Sequence, residues 1–232
     1  MLNLQLAEKP VRLDNGSLDV QEIFPTLQGE GPYAGMPSVF IRLAGCNLQC
    51  PACDTDYTSA RQTKPLAQII SEVRYHRSNG LVVLTGGEPF RQGCGRLIRA
   101  LLNANYQVQV ETNGTMFDPS LADNKLRPLG LTIVCSPKTG SVSAELEPWI
   151  DCYKYILSAG KVDPADGLPM DSLNFGVRPA RPPAGFRGKI YCQPCDDQDP
   201  ARNAANTKAA VDSCMKFGYL LCIQIHKVVG LP

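Results

Sequence analysis

The sequence predicts an α/β fold: an incomplete, TIM-like βα barrel of parallel strands covered by helices. Short apolar strands alternate with amphipathic helical segments along the chain, the pattern of a parallel sheet. Several strands run into polar or glycine-rich tripeptides, namely Gly86, Gly87 and Glu88, then Thr112, Asn113 and Gly114, then Ser136, Pro137 and Lys138. Barrels and open α/β sheets carry their active sites at that strand edge. The chain has 232 residues and few readable helices, whereas a closed barrel usually takes about 250 residues.

The elements follow in order. Residues 22–33 read as a strand and then a turn supported by Gly29, Gly31 and Pro32. Residues 38–43 form a strand that ends just before a cysteine loop. Leu66, Ile69, Ile70 and Val73 keep helical spacing and mark an amphipathic helix. Residues 81–84 make a short apolar strand running into Gly86 and Gly87, and Leu97, Ile98, Leu101 and Leu102 mark a second helix. Strands follow at 108–111, 132–135, 153–157 and 189–192. Asp199 is an N-cap and Pro200 the first residue of the last helix, which Val211, Cys214 and Met215 continue and Gly218 stops. Residues 220–225 then read as a final strand. Residues 164–188 are rich in Pro, Gly and Arg without periodicity. They predict a long surface loop, of the kind that serves as a lid or stays partly disordered. The strand pattern resumes after it, so residues 1–232 are read as one domain.

Composition narrows the class. Hydrophobic residues make up 44% and charged residues 19%, ordinary values for a soluble protein. A net charge of +1 gives no electrostatic reason to expect nucleic acid or an anionic membrane as partner. In the first ten residues apolar and polar side chains alternate, and Glu8 and Lys9 interrupt them, unlike a signal peptide. No apolar run approaches the roughly 18 residues that a membrane-spanning helix needs. A cytoplasmic enzyme is the expectation. Ten cysteines in a reducing compartment are then thiols or metal ligands rather than disulfides. Cys94, Cys135, Cys152, Cys214 and Cys222 sit among apolar neighbours and read as small buried hydrophobes.

Cys46, Cys50 and Cys53 are different: three thiolates within eight positions can hold a metal cluster. A four-iron cluster normally takes four cysteines. Three leave one iron open to bind a small molecule. Zinc, or a plain electron-carrying cluster, would want a fourth ligand, and Cys192 with Cys195 could supply a pair, so both remain rivals. Gly86 and Gly87 let the backbone approach a ligand closely, and Glu88 can brace that turn. Arg42 can fork onto a carboxylate, or else point to solvent from its strand.

The cysteine spacing, with Gly86, Gly87 and Glu88 at a strand end, is similar to that of radical S-adenosylmethionine enzymes. Residues 22–33, 42–46, 53–55, 85–88, 111–114, 136–138, 193–194 and 224–232 together resemble, in order, the 7-carboxy-7-deazaguanine synthase (QueE) family of that superfamily. The resemblance implies a lyase of queuosine and deazapurine biosynthesis. It implies a [4Fe–4S] cluster on Cys46, Cys50 and Cys53, with S-adenosylmethionine chelated to the open iron. The cluster would work at the low end of the roughly −700 to +450 mV range of such centres. One electron from it would split the C5′–S bond and leave an adenosyl radical, so no side chain need be the catalytic group. The implied substrate is 6-carboxy-5,6,7,8-tetrahydropterin, which loses hydrogen at C6, contracts its ring and releases ammonia.

Residue by residue, the resemblance places the cosubstrate on Ala52, Cys53, Asp54 and Gly87, on Ser136, Pro137 and Lys138, and on Gln193, Pro194, Cys195 and Asp196. It gives the substrate to Leu27, Gln28, Gly29, Glu30, Arg42, Thr85 and the terminal carboxylate of Pro232, with His226 a lesser candidate. It makes the Thr55 hydroxyl a ligand of Mg2+, a hard cation that prefers oxygen. It also implies a homodimer and an electron donor of flavodoxin or ferredoxin type. Another radical enzyme, such as a glycyl-radical activase, shares the cysteine spacing and is the alternative. There are departures. Ala52 stands where the superfamily usually has an aromatic residue that packs on adenine, Ile225 where the family often has threonine, and residues 164–188 have no assigned counterpart.

Overall fold

The computed structural model describes residues 3–11, 16–76 and 80–232. Met1 and Leu2, part of the N-terminal stretch read above, lie outside the described residues. The strands are β1 (Ser17–Leu27), β2 (Pro37–Leu43), β3 (Gln62–Pro65), β4 (Leu81–Gly86), β5 (Gln107–Thr112), β6 (Leu131–Cys135), β7 (Cys152–Leu157), β8 (Lys189–Pro194) and β9 (Leu220–Leu221). The helices are α1 (Leu66–Tyr75), α2 (Gly95–Asn103), α3 (Pro200–Phe217) and α4 (Ile225–Val228).

Among the described residues the nine strands form one sheet in the order β3-β1-β2-β4-β5-β6-β7-β8-β9. β1 runs antiparallel to β2 and β3, and every pairing from β2 to β9 is parallel. No ladder joins β9 to β3 among the described residues, so the barrel is incomplete. The C-terminal segment spans the open side: Ile225 N–H donates to Gly29 O at 3.2 Å and Gly31 N–H to Cys222 Sγ at 3.2 Å.

Period-two alternation sorts the side chains of the parallel strands. Val82, Leu84, Val108, Val110, Ile133, Tyr153, Tyr155 and Cys192 point outward and join α1, α2 and α3 in one apolar core. Their neighbours Thr85, Glu111, Lys154 and Gln193 line the inner cavity. The inner face is therefore polar, and the core lies between the sheet and its helices.

Three expectations change. Residues 220–225 are not a strand throughout: β9 stops at Leu221 and Ile225 opens α4. The chain leaves the sheet after Cys222, whose N–H still donates to Cys192 O at 2.9 Å, because Gln224 and Ile225 find partners on the loop after β1. On α3 the buried stripe is Asn206, Ala210, Ser213 and Cys214, while Met215 is 83% exposed. Asn206 displaces the apolar stripe because its amide closes two strand ends, accepting from Ala159 N–H and donating to Cys195 O. The first strand starts at Ser17 rather than at residue 22, and β3, whose residues are polar or proline, carries no apolar alternation that would mark it as a strand. The ends of α3 match the reading: the Asp199 carboxylate accepts from Arg202 N–H at 2.9 Å, and Gly218 closes the helix at φ 77°.

Residues 164–188 hold no regular helix or strand, yet they are tied down. Arg178 pairs with Asp163 and Asp166, and Arg181 with Asp166. Ala180 N–H donates to Thr139 O, Tyr155 O–H to Ala180 O, and Ser213 O–H to Gly167 O.

Candidate active site

A cavity of about 480 Å³ occupies the inner face of the sheet. Cys46, Cys50 and Cys53 line one part of it. Their loop follows β2 and is propped by the N-terminal segment: Asn3 N–H donates to Pro51 O, Glu8 N–H to Cys46 O, and the Asn3 amide to Cys50 O. Burial pushes the Cys46 thiol up to about 12 and the Cys50 thiol to about 11, and raises Cys53 as well. Lys138, buried beside them, donates to Ser136 O at 3.0 Å and Ser136 Oγ at 2.6 Å. It has no carboxylate partner among the described residues. Burial first, and then Lys154, lowers its pKa.

The glycine turn after β4 is stitched to the same loop. Gly87 N–H donates to Leu43 O and Glu88 N–H to Gly45 O. A Cβ on Gly86 would lie 2.1 Å from Leu43 O, and one on Gly87 the same distance from Gly45 O. Only glycine lets the two backbones meet this closely. Glu88 braces the turn as expected, accepting from Phe90 N–H, Thr112 O–H and Asn113 N–H. Burial raises it to about 7 in spite of those donors.

Elsewhere the cavity is charged. The Lys154 ammonium pairs closely with Glu30 and stands 3.9 Å from Glu111. Burial alone would raise Glu30, but Lys154 and the Gln224 amide hold it at about 2. Gln28 bonds Glu111 at 3.1 Å, and Gln193 and Gln224 both bond Glu30. His226 lines the cavity with its Nδ1 buried and without a hydrogen-bond partner among the described residues. Arg42 Nε donates to Glu22 at 2.6 Å. Lys227 pairs with Asp196 at 2.9 Å and Asp54 at 3.5 Å, which pins α4 to the cysteine loop.

A scan of protein families matches residues 40–143 to the Radical SAM superfamily. A 7-carboxy-7-deazaguanine synthase from Rhodospirillum rubrum is 47% identical over 228 residues, covering 94% of both chains. The chain belongs to the 7-carboxy-7-deazaguanine synthase family. A synthase from Rickettsia prowazekii is 35% identical, over 94% of this chain and 90% of its own. The crystal structure of QueE from Escherichia coli shares the fold, with a TM-score of 0.66 over 90% of this chain and 94% of that one, at 22% identity.

Members of the radical superfamily use a [4Fe–4S] cluster and S-adenosylmethionine, and the chain's residues fit both. Three cysteines, Cys46 and Cys50 buried and Cys53 half-buried, face one cavity, and Lys138, which has no carboxylate partner among the described residues, supplies positive charge where a cluster and a carboxylate bring negative charge. Among the described residues no three His, Cys, Asp or Glu side chains are placed to share one metal ion. Cysteines that ligate different irons of one cluster need no such convergence. The zinc rival gains nothing from Cys192, which is buried in the outer core beside Cys214, whereas Cys195 is on the cavity wall.

Most of the residues that the synthase resemblance singled out meet on this wall. Gln28, Glu30, Arg42, Thr85 and Pro232 line it, as do Thr55, Ala52, Asp54 and Gly87, and so do Ser136, Lys138, Gln193, Pro194 and Asp196. Leu27, Gly29 and Pro137 do not. Gly29 sits under His226, where a Cβ would lie 1.8 Å from Nδ1. Glu111, Lys154, Gln224 and Leu173 line the cavity without having been assigned a role. Lys154 had a signal: a lone charge inside the apolar stretch 152–157.

Proposed function

We propose that the protein converts 6-carboxy-5,6,7,8-tetrahydropterin to 7-carboxy-7-deazaguanine with loss of ammonia, as a radical S-adenosylmethionine lyase. The likeness to the Rhodospirillum rubrum synthase along nearly the whole chain carries this reading. The relatives described above are synthases or QueE, and the glycyl-radical activase alternative is not favoured. When bound, the cluster and cosubstrate supply reductive carbon–sulfur cleavage and, from it, hydrogen abstraction.

The chain's own residues bind and orient. Cys46, Cys50 and Cys53 hold the cluster. The methionine carboxylate meets Lys138, whose charge has no other carboxylate partner among the described residues. Gly87 brings the backbone close, and Ala52, Cys53, Asp54, Ser136, Pro137 and residues 193–196 complete the cosubstrate wall. A pterin offers a flat edge of N–H donors, and Glu30, kept ionised by Lys154, is an acceptor matched to it. Gln28, Thr85 and the backbone of Leu27 and Gly29 position the ring. Arg42 reaches the substrate carboxylate through its terminal nitrogens, since Nε is engaged by Glu22. Thr26 O–H donates to Pro232 O at 2.8 Å, which holds Pro232 on the cavity wall beside the substrate. Thr55, on the wall, would offer its hydroxyl to Mg2+ together with the substrate carboxylate.

The same reading makes residues 1–232 one domain, the protein a cytoplasmic homodimer, and its reductant a flavodoxin or ferredoxin. No helix among the described residues is long and apolar enough to cross a membrane. Arg42→Ala tests the substrate assignment. The variant is expected to bind S-adenosylmethionine as the parent does and to lose at least about tenfold in kcat/KM for the pterin, since a carboxylate loses its charged partner. Unchanged kcat/KM would overturn the role of Arg42.

A further inference from the structure

The position before the third cluster cysteine is Ala52, so that side chain offers the cavity almost no apolar surface. The wall is completed there from a different part of the chain. Leu173, in the loop between β7 and β8, lines the same cavity. Its carbonyl accepts the Ala52 N–H at 3.1 Å, which fixes it against the cysteine loop.

The backbone at this point is costly. Leu173 has φ 54° and Asn174 φ 57°, the left-handed region that residues other than glycine rarely enter. Two consecutive such residues persist only where the surroundings over-determine them. Here they do. Lys161 pairs with Asp171 at 2.9 Å and reaches Asn174 Oδ1 at 2.8 Å, so one ammonium clamps both sides of Leu173. Gly176 N–H donates to Asp171 Oδ1, Phe175 N–H to Ser172 O, and Met170 N–H to Lys161 O. The loop is a strap, fixed at several points, with a strained leucine at the place where it touches the cysteine loop.

We propose that Leu173 supplies the apolar wall for the adenine of S-adenosylmethionine, in place of a side chain at position 52. Ala52 spends its N–H on Leu173 O, and its own carbonyl accepts no hydrogen bond among the described residues, so that carbonyl can accept from the adenine amino group. The flat ring is then held between a backbone polar group and an aliphatic surface, the combination that small-molecule sites use. This inference rests on the cosubstrate reading of the cavity, and it assigns a function to a loop that the sequence left without one.

The test is equilibrium binding of S-adenosylmethionine to anaerobically reconstituted protein, with iron content measured on each sample. Leu173→Ala is expected to weaken binding by about tenfold, from lost apolar contact, while iron content and pterin affinity stay at the parent's values. Leu173→Gly relieves the backbone strain and also removes the side chain, so it is expected to lose affinity as well. Leu173→Met keeps apolar bulk and is expected to bind within about threefold of the parent. Parent-like affinity in both the Ala and Gly variants would overturn the inference and leave the enzyme assignment standing. A parent protein that takes up iron but binds no S-adenosylmethionine would overturn both. Loss of pterin affinity in step with the cosubstrate would overturn the inference too, by placing Leu173 in general loop packing.

Discussion

Inside the sheet, two carboxylates share one ammonium: Lys154 sits between Glu30 and Glu111 with all three side chains largely buried. Burying an ion pair gains little, but breaking one leaves a charge without solvent or partner. Lys154→Met is therefore expected to cost about 3–5 kcal/mol in urea unfolding, and a loss under about 1 kcal/mol would contradict the pairing. The sign of the pH dependence follows from Glu30, which is lowered from 4.5 to about 2. Its contribution is complete above pH 4.5 and is lost as pH falls towards 2. The stability gap between the parent and Glu30→Gln should hold steady near neutral pH and close across that acid window. A gap that stays constant down to pH 2 would contradict it. These side chains carry no signal of partnership in the sequence, because residues 30, 111 and 154 meet only when the sheet curves round. Arg42 and Lys138 were legible for the opposite reason: each lies next to a motif that already marks a strand end.

At the scale of elements, the site is made where loops cross strand ends. The glycine turn after β4 and the cysteine loop after β2 exchange backbone hydrogen bonds, and neither has room for a Cβ at Gly87. The clash at Gly87 is with backbone, which cannot swing aside. Gly87→Ala is expected to push the two loops apart and weaken S-adenosylmethionine binding by at least about tenfold, a change of about 1.4 kcal/mol, with the fold retained by circular dichroism. Parent-like affinity would show that the close approach is incidental. Local chemistry made the ends of α3 readable, since an aspartate cap and a left-handed glycine act within one turn. The buried face of α3 and the end of β9 were not readable in the same way. Both are decided by distant partners: Asn206 turns inward to Cys195 and Ala159, and Gln224 and Ile225 leave the sheet for the loop after β1.

Across the whole molecule, apolar and polar work are divided between the two faces of one sheet. The outer face and its helices hold the core, and the inner face is free to be charged. The alternation of apolar residues made that fold class legible, and the order of the motifs made the site legible. The sequence placed Pro232 at the site, and what it hid is how the last segment is fastened across the open side of the barrel, by Lys227 on Asp54 and Asp196 and by Thr26 of β1 on Pro232 O. On the proposed function, the cavity joins a cluster, a sulfonium and a pterin in a single space. The direct measurement is the mass of the product after anaerobically reconstituted protein is mixed with reductant, Mg2+, S-adenosylmethionine and 6-carboxy-5,6,7,8-tetrahydropterin. The account predicts 7-carboxy-7-deazaguanine, with none formed when Cys46, Cys50 or Cys53 is replaced by alanine. Cosubstrate cleavage to 5′-deoxyadenosine with the pterin left intact would contradict it.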